Sequence, residues 1–209
     1  MKKKPPNSLI AKVHPGATSS SSSSSYLTSK QETFTIWMKS LVPNGKGCTV
    51  FDSNGEIVYR VDNYSCNCRD VYLMDFNGEV LFTILRKEKF KLFWFWEGYR
   101  STSAERASFQ VRKLFGIFSR YYYSSCEAVG VGLDKNQSFG YIIESYRTRK
   151  SPFKILDKFG KSIAEVKRKH STCGVLLGDD VLTMVVEPFM DHCLIMGLFV
   201  VHSLINRKM

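Results

Sequence analysis

The chain has 209 residues, of which 44% are hydrophobic and 23% charged. This length accommodates one domain and a tail, and the composition excludes a collagen, a wholly disordered chain and a disulfide-rich miniprotein. The 30 Lys and Arg residues against 19 Asp and Glu give a net charge of +11. A positive charge of this size favours an anionic partner, such as nucleic acid, a phosphoinositide-bearing membrane or an acidic protein.

Residues 1–33 are predicted to form a flexible tail, because they contain the unbroken serine run Ser19–Ser25 with no apolar group to bury. The basic start at Lys2 is followed by prolines rather than by an apolar stretch, so we expect no secretion signal. Residues 34–209 form the predicted folded domain. We expect a cytoplasmic protein that is peripheral at the plasma membrane or shuttles to the nucleus.

The six cysteines are interpreted as reduced thiols, since no export signal is recognised. Cys66 and Cys68 form the one close pair. A zinc site would need a second ligand pair, for example His170 with Cys173. Neither a metal nor a cofactor is predicted.

From Phe34 onward, short apolar runs alternate with turn residues, which is typical of an all-β protein. The runs are rich in the β-branched and aromatic residues that suit a half-buried pleated surface. Twelve strands are predicted, at 34–42, 47–52, 56–62, 70–75, 79–87, 89–97, 107–115, 126–133, 138–147, 153–157, 161–169 and 181–187.

Three of the predicted hairpins share a turn pattern in which Asp ends one strand and Gly stands three residues later. The pairs are Asp52 with Gly55, Asp75 with Gly78, and Asp157 with Gly160. Gly supplies the positive φ of a tight turn, and the Asp side chain accepts from turn amides. A calcium-binding EF-hand is the alternative, but it requires Gly at the sixth loop position and Glu at the twelfth.

The C-terminus predicts one helix over residues 191–206, with Asp191 as its N-cap. Its centre is apolar on every face, and it is formed by Cys193, Leu194, Ile195, Met196, Gly197, Leu198, Phe199, Val200 and Val201. Such a helix must be surrounded by protein or by lipid. Its length of roughly 24 Å is short for a bilayer core of about 30 Å. We therefore predict a closed barrel with the helix as its core, in which Gly197 permits the close approach of a neighbouring strand.

Seven short segments then suggest a family through their order and spacing. They lie at 49–61, 81–87, 96–100, 109–112, 153–157, 181–188 and 191–196. Together they resemble the plant LURP-one-related proteins. The resemblance implies a tubby-like fold, a closed twelve-stranded antiparallel barrel around a hydrophobic C-terminal helix. It also implies a relation to phospholipid scramblases and to membrane-tethered transcription factors, with some members linked to plant defence.

No catalytic motif is recognised, and the four histidines (His14, His170, His192 and His202) are far apart in sequence. His192 and His202 fall on or beside the predicted helix, which favours capping or core roles. We therefore expect no enzyme activity.

The remaining candidate site is basic. Three clusters are predicted to bind lipid headgroups or other anions: Arg86, Lys87, Lys89 and Lys91; Arg147, Arg149 and Lys150; and Lys167, Arg168 and Lys169. In a strand, Lys87, Lys89 and Lys91 would share one face. A solvated outer barrel face is the structural alternative for each cluster.

Three functions fit these features. The first is a monomeric, non-catalytic module that holds phosphoinositide headgroups at a membrane surface. The second is a nucleic-acid-binding transcriptional regulator with salt-dependent affinity. The third is a lipid-translocating membrane protein with its helix in the bilayer.

Overall fold

The computed structural model describes residues 26–41, 46–63, 70–89, 93–100, 106–114, 123–131, 138–146 and 152–206. Within them the chain forms twelve strands followed by one helix. The elements are β1 (Glu32–Trp37), β2 (Lys46–Phe51), β3 (Ile57–Asn63), β4 (Asp70–Asp75), β5 (Val80–Lys89), β6 (Phe93–Tyr99), β7 (Phe109–Leu114), β8 (Tyr123–Val131), β9 (Ser138–Tyr146), β10 (Phe153–Asp157), β11 (Ser162–Arg168), β12 (Val181–Val186) and α1 (His192–Ile205).

The strands form a closed antiparallel barrel in which each strand pairs with its neighbours in sequence. Pairing of β1 with β12, from Glu32 opposite Val186 to Trp37 opposite Val181, closes the barrel. The predicted twelve-stranded barrel is confirmed. Because neighbouring strands are antiparallel, all odd-numbered strands end at the same end of the barrel. We call this end the upper rim and the opposite end the lower rim.

Strand alternation separates the inside of the barrel from the outside. In β1, for example, Phe34 and Ile36 are buried, whereas Thr33 and Thr35 face outward. The inward-facing side chains of the other strands continue this layer and pack against α1.

The helix α1 enters at the lower rim and ends at the upper rim, and every residue from Cys193 to Leu204 is buried. Asp191 is its N-cap, as predicted, and its Oδ1 accepts from the Leu194 amide at 3.0 Å. At the other end His202 lies against Phe153, with ring centroids 4.0 Å apart. Protein therefore surrounds the apolar helix, which is the predicted outcome.

The three Asp–Gly turns all lie at the lower rim and have the predicted geometry. Gly55, Gly78 and Gly160 have φ values of 85°, 86° and 80°. In the first turn Asp52 Oδ1 accepts from the Glu56 amide at 2.9 Å, and Asp75 and Asp157 bind the corresponding amides at 2.8 and 2.9 Å. The carboxylates close hairpins, as the turn interpretation requires.

Gly197 permits the close approach of a neighbouring strand, as predicted, and a side chain of that strand, β7, makes the contact. A Cβ atom at Gly197 would lie 3.1 Å from the Phe109 ring, so its neighbour is a side chain and not a strand backbone. The same ring atoms, Cε1 and Cζ, also lie against Gly98, where a Cβ would be only 2.2 Å away. Two glycines thus make room for one aromatic ring between the barrel wall and the helix.

The folded chain begins before the predicted boundary at residue 34. Glu32 and Thr33 already pair with β12. Tyr26 packs edge-on against His192, with ring centroids 5.6 Å apart, and Leu27 forms a bridge with Asp191. Residues 26–33 therefore contact the lower rim, which the polar composition of the segment did not indicate.

Candidate anion-binding rim

The barrel interior is occupied by α1, so the surface available to a partner consists of the outer wall and the two rims. The inward-facing residues of the wall and the helix form one continuous buried core. A ligand of any size would have to displace that core to enter. The predicted basic residues must therefore act, if they act together, at the surface.

The first basic cluster lies at the upper end of β5. Arg86 and Lys87 are consecutive in the strand, so strand alternation places their side chains on opposite faces, and Lys89 is the last residue of β5. No carboxylate of a described residue forms an ion pair with Arg86 or Lys87. Lys91 lies outside the described residues.

Arg86 is held by an aromatic ring instead of by an acid. Its guanidinium lies 3.6 Å from the ring centroid of Trp94 in the neighbouring strand β6. Trp94 itself is 50% exposed. A cation–π contact orients the guanidinium without neutralising its charge, so Arg86 keeps its full charge for an external anion.

The third basic cluster, which consists of Lys167, Arg168 and Lys169 at the upper end of β11, is largely paired with acids. Lys167 lies 2.7 Å from Glu165, and Arg168 lies 3.3 Å from Asp179. Lys169 donates to Thr35 Oγ1 at 2.6 Å. Lys167 remains 60% exposed, and an exposed pair of this type contributes little to stability, so its ammonium can exchange partners readily.

The two clusters occupy opposite walls of the barrel but the same rim. Five strands separate β5 from β11 in either direction around the barrel. Both strands are odd-numbered, so both end at the upper rim. These two clusters therefore do not form one patch of wall, because barrel closure sets them apart, but they share an end of the molecule. Arg147, Arg149 and Lys150 lie outside the described residues.

Other charged residues reinforce the difference between the rims. Further upper-rim cations, which the sequence analysis did not single out, are Lys39, Lys46 and Lys113. Acids are dense in the lower-rim turns after β2 and β4: Asp52, Glu56, Asp75 and Glu79. The turn after β10 mixes Asp157 with Lys158 and Lys161, and the upper rim also carries Asp179 and Asp180. The repeated Asp–Gly turns are the sequence signal for the acids after β2 and β4.

The polar cluster at the lower mouth holds the helix in place. Arg100 forms an ion pair with Oδ2 of Asp191, and its guanidinium lies 4.7 Å from the Phe82 ring centroid. The Tyr59 hydroxyl and His192 Nδ1 are 2.6 Å apart. These contacts satisfy groups at the start of α1, and they give His192 the structural role predicted for it.

His202 is also structural. It is fully buried near the upper end of α1. Its Nε2 lies 3.1 Å from Ser145 Oγ and 2.9 Å from Asn206 Nδ2. The core position predicted for a helix histidine is therefore confirmed for His202, whereas the caps of the helix are Asp191 and Asn206.

The buried cysteines are poor nucleophiles. Burial raises the pKa of the Cys126 thiol to about 11, and it raises the pKa values of Cys48 and Cys193 further. A protonated thiol neither attacks an electrophile nor binds zinc. Among the described residues, no group of His, Cys, Asp and Glu is arranged to hold a metal ion; Cys66 and Cys68 lie outside them.

Within the described residues, no helix has the length and apolar character needed to span a membrane.

Comparison with known proteins gives one consistent result. The family model described as LURP-one-related matches residues 32–203. Protein LURP-one-related 11 of Arabidopsis thaliana is 51% identical over 213 residues, which cover 96% of this chain and 91% of the relative. Protein LURP-one-related 2 of the same plant is 50% identical over 88% of this chain and 84% of its own. Protein LURP-one-related 4 is 40% identical over 94% and 87%.

Proposed function

The chain belongs to the LURP-one-related family, and on that premise we propose that it is a non-catalytic barrel that binds anionic membrane surfaces, phosphoinositide-bearing ones in particular, through its upper rim. A relation to phospholipid scramblases and to membrane-tethered transcription factors, and a role in plant defence, belong to the same proposal.

The observation that carries the proposal is the charge of Arg86 and Lys87 at the upper rim. Neither pairs with a carboxylate of a described residue, and Arg86 is oriented by Trp94 at 3.6 Å. A basic residue near an anionic leaflet contributes about 1 kcal/mol to membrane attraction. The exposed Lys167 adds a further cation on the opposite wall of the same rim.

The distribution of charge gives the barrel a preferred orientation. Among the described residues the upper rim carries more cations than acids, whereas the turns after β2 and β4 carry carboxylates without cations, so an anionic surface is attracted to the upper end in preference to those turns. Cations on two opposite walls of one rim can contact a flat anionic surface at several points. This arrangement suits a membrane better than a single small ligand.

A non-catalytic role is supported by the state of the candidate nucleophiles. The thiols of Cys48, Cys126 and Cys193 are buried, and their pKa values are raised. The helix histidines are engaged with Tyr59 and Ser145. None of these groups faces a surface on which a substrate could bind.

Nucleic-acid binding is the second candidate, and one observation favours it. Trp94 is half exposed beside Arg86, and an exposed aromatic ring next to a cation is a surface on which a base can stack. Both candidate functions use the same cations, so an experiment must compare binding to vesicles with binding to nucleic acid.

The test is vesicle flotation of the full chain with the double substitution Arg86→Ala and Lys87→Ala. We expect binding to phosphatidylcholine vesicles containing phosphatidylinositol bisphosphate to weaken by roughly 10- to 30-fold, since two surface cations are lost. The matched control is Lys158→Ala with Lys161→Ala, which removes the same charge from the lower rim and should leave binding unchanged.

The proposal is contradicted if wild-type protein fails to float with these vesicles, or if both double variants weaken binding equally. Tight, salt-dependent binding to single-stranded DNA without vesicle binding would instead support nucleic-acid binding as the function of the upper rim.

A further inference from the structure

The hairpin that joins β11 to β12 extends beyond the barrel at the upper rim. Residues 169–180, which we call the upper-rim hairpin, continue the ladder of the two strands: Lys169 donates to Val181 O at 2.9 Å, and Leu177 donates to Lys169 O at 3.1 Å. Ser171 and Val175 close the turn, with a backbone bond of 2.7 Å, and Gly174 supplies a φ of 78°. The hairpin is an ordered projection.

The arm that returns from its polar turn carries three consecutive apolar residues on the outside of the molecule, and we call these three residues the tip. Val175, Leu176 and Leu177 are 65%, 45% and 51% exposed. In an extended segment, consecutive side chains point to opposite faces. No single protein surface could therefore cover all three, whereas immersion of the tip in a fluid apolar phase covers both faces at once.

The base of the upper-rim hairpin is fastened to the barrel. Asp180 accepts from Trp37 Nε1 at 3.2 Å, and its backbone oxygen accepts from the Met38 amide at 2.8 Å. Asp179 pairs with Arg168 at 3.3 Å. These contacts fix the direction in which the tip projects, so little conformational entropy is lost when the tip meets a partner.

Cations flank the base of this apolar tip. Lys167 is 60% exposed on the outer wall directly below the hairpin, and Lys169 is its first residue. Across the same rim stand Arg86 and the half-exposed Trp94. Exposed apolar side chains beside basic and Trp side chains suit the surface region of a membrane. There the acyl chains can bury the apolar groups, and the anionic headgroups can bind the cations.

We infer that the upper-rim hairpin inserts Val175, Leu176 and Leu177 among the acyl chains of an anionic bilayer while the surrounding cations bind its headgroups. This inference rests on the proposed function and names the element that enters the membrane. Insertion adds an apolar contribution that salt does not screen, so binding has a salt-resistant part as well as a salt-sensitive part.

The lower rim provides an internal comparison. Phe76 and Phe159 are also exposed, by 66% and 82%, and both stand on turn tips. The turn of Phe76 contains Asp75 and Glu79, which an anionic surface repels. The turn of Phe159 contains Asp157 together with Lys158, whose ammonium lies 5.0 Å from the Phe159 ring centroid. Exposed apolar area alone therefore does not select the membrane-facing end.

The experiment compares three full-length proteins by flotation on phosphatidylcholine vesicles containing phosphatidylinositol bisphosphate, at low and at high salt. The tip variant carries Leu176→Asn and Leu177→Asn, and the control carries Phe76→Asn and Phe159→Asn. Both tip leucines are exposed, so circular dichroism should show an unchanged fold. We expect the tip variant to bind about tenfold more weakly and to lose its binding at high salt, and the control to match wild type.

A second variant, Leu176→Trp, reports insertion directly. Its added fluorescence should shift to shorter wavelength on vesicles and be quenched by lipids brominated in their acyl chains. Wild-type binding by the tip variant, or an unshifted Trp signal, overturns insertion; if Arg86→Ala with Lys87→Ala still weakens binding, the proposed function stands. Absence of wild-type binding overturns both. Equal losses in the tip and control variants also overturn insertion by this hairpin.

Discussion

At the scale of single residues, Phe109 is the clearest case of a side chain that requires small residues at neighbouring positions. Its ring lies between Gly98 in the barrel wall and Gly197 in the helix, and an added Cβ would approach it to 2.2 and 3.1 Å respectively. A glycine in a helix interior costs about 1 kcal/mol relative to alanine. At Gly197 this cost is offset by the room that the ring requires.

Replacing Gly98 by alanine should therefore destabilise the domain. The new methyl group would overlap the Phe109 ring, and overpacking of this kind costs about 1–3 kcal/mol. Thermal unfolding should show a Tm lower by several degrees. Gly140→Ala is the matched control, because a Cβ there has nothing within 4 Å. Adding Phe109→Leu should restore part of the Tm lost in the Gly98→Ala variant. An unchanged Tm for Gly98→Ala alone would contradict the close contact between Gly98 and the Phe109 ring.

At the scale of elements, the start of α1 depends on one carboxylate with two functions. Asp191 caps the helix through the Leu194 amide at 3.0 Å, and its other oxygen pairs with Arg100. Asp191 is only 9% exposed and Arg100 is 28% exposed. Removal of the carboxylate therefore leaves both a free helix amide and a poorly solvated cation.

Asp191→Ala should lower the free energy of unfolding by about 2–4 kcal/mol, which combines the loss of a cap with the loss of a largely buried ion pair. Asp191→Asn retains a cap acceptor and should lose less. Urea unfolding measures both. Asp179→Ala, which breaks the exposed pair with Arg168, should cost below about 1 kcal/mol. If the Asp191 variants unfold at the wild-type midpoint, the helix does not depend on this cap.

Local elements could be predicted from the sequence because local physics determines them. Alternation indicated the strands, the Asp–Gly pairs indicated their turns, and the apolar run from Cys193 to Val201 indicated a surrounded helix. Three features could not be predicted. The opposite placement of β5 and β11 depends on closure between β1 and β12, the ring beside Gly197 comes from a distant strand, and the exposure of Val175 to Leu177 depends on how far a hairpin projects.

At the scale of the whole molecule, the helix fills the interior of the barrel, and the two ends of the barrel differ in charge. Because α1 occupies the centre, a partner contacts the outer wall or a rim and does not enter the interior. Because odd-numbered strands all end together, the cations of β5 and β11 reach the same rim although they lie on opposite walls. The membrane binding that we propose involves the upper rim alone and leaves the helix inside the barrel.

The most direct measurement is amide hydrogen exchange in α1, with and without vesicles that contain phosphatidylinositol bisphosphate. We expect the amides of residues 195–204 to be among the slowest to exchange and to remain protected when the protein is bound, since only global unfolding exposes a core helix. The upper-rim hairpin should become more protected on binding. Rapid exchange of α1 in the free protein, or loss of its protection on vesicles, would contradict a helix that serves as the permanent core of its barrel.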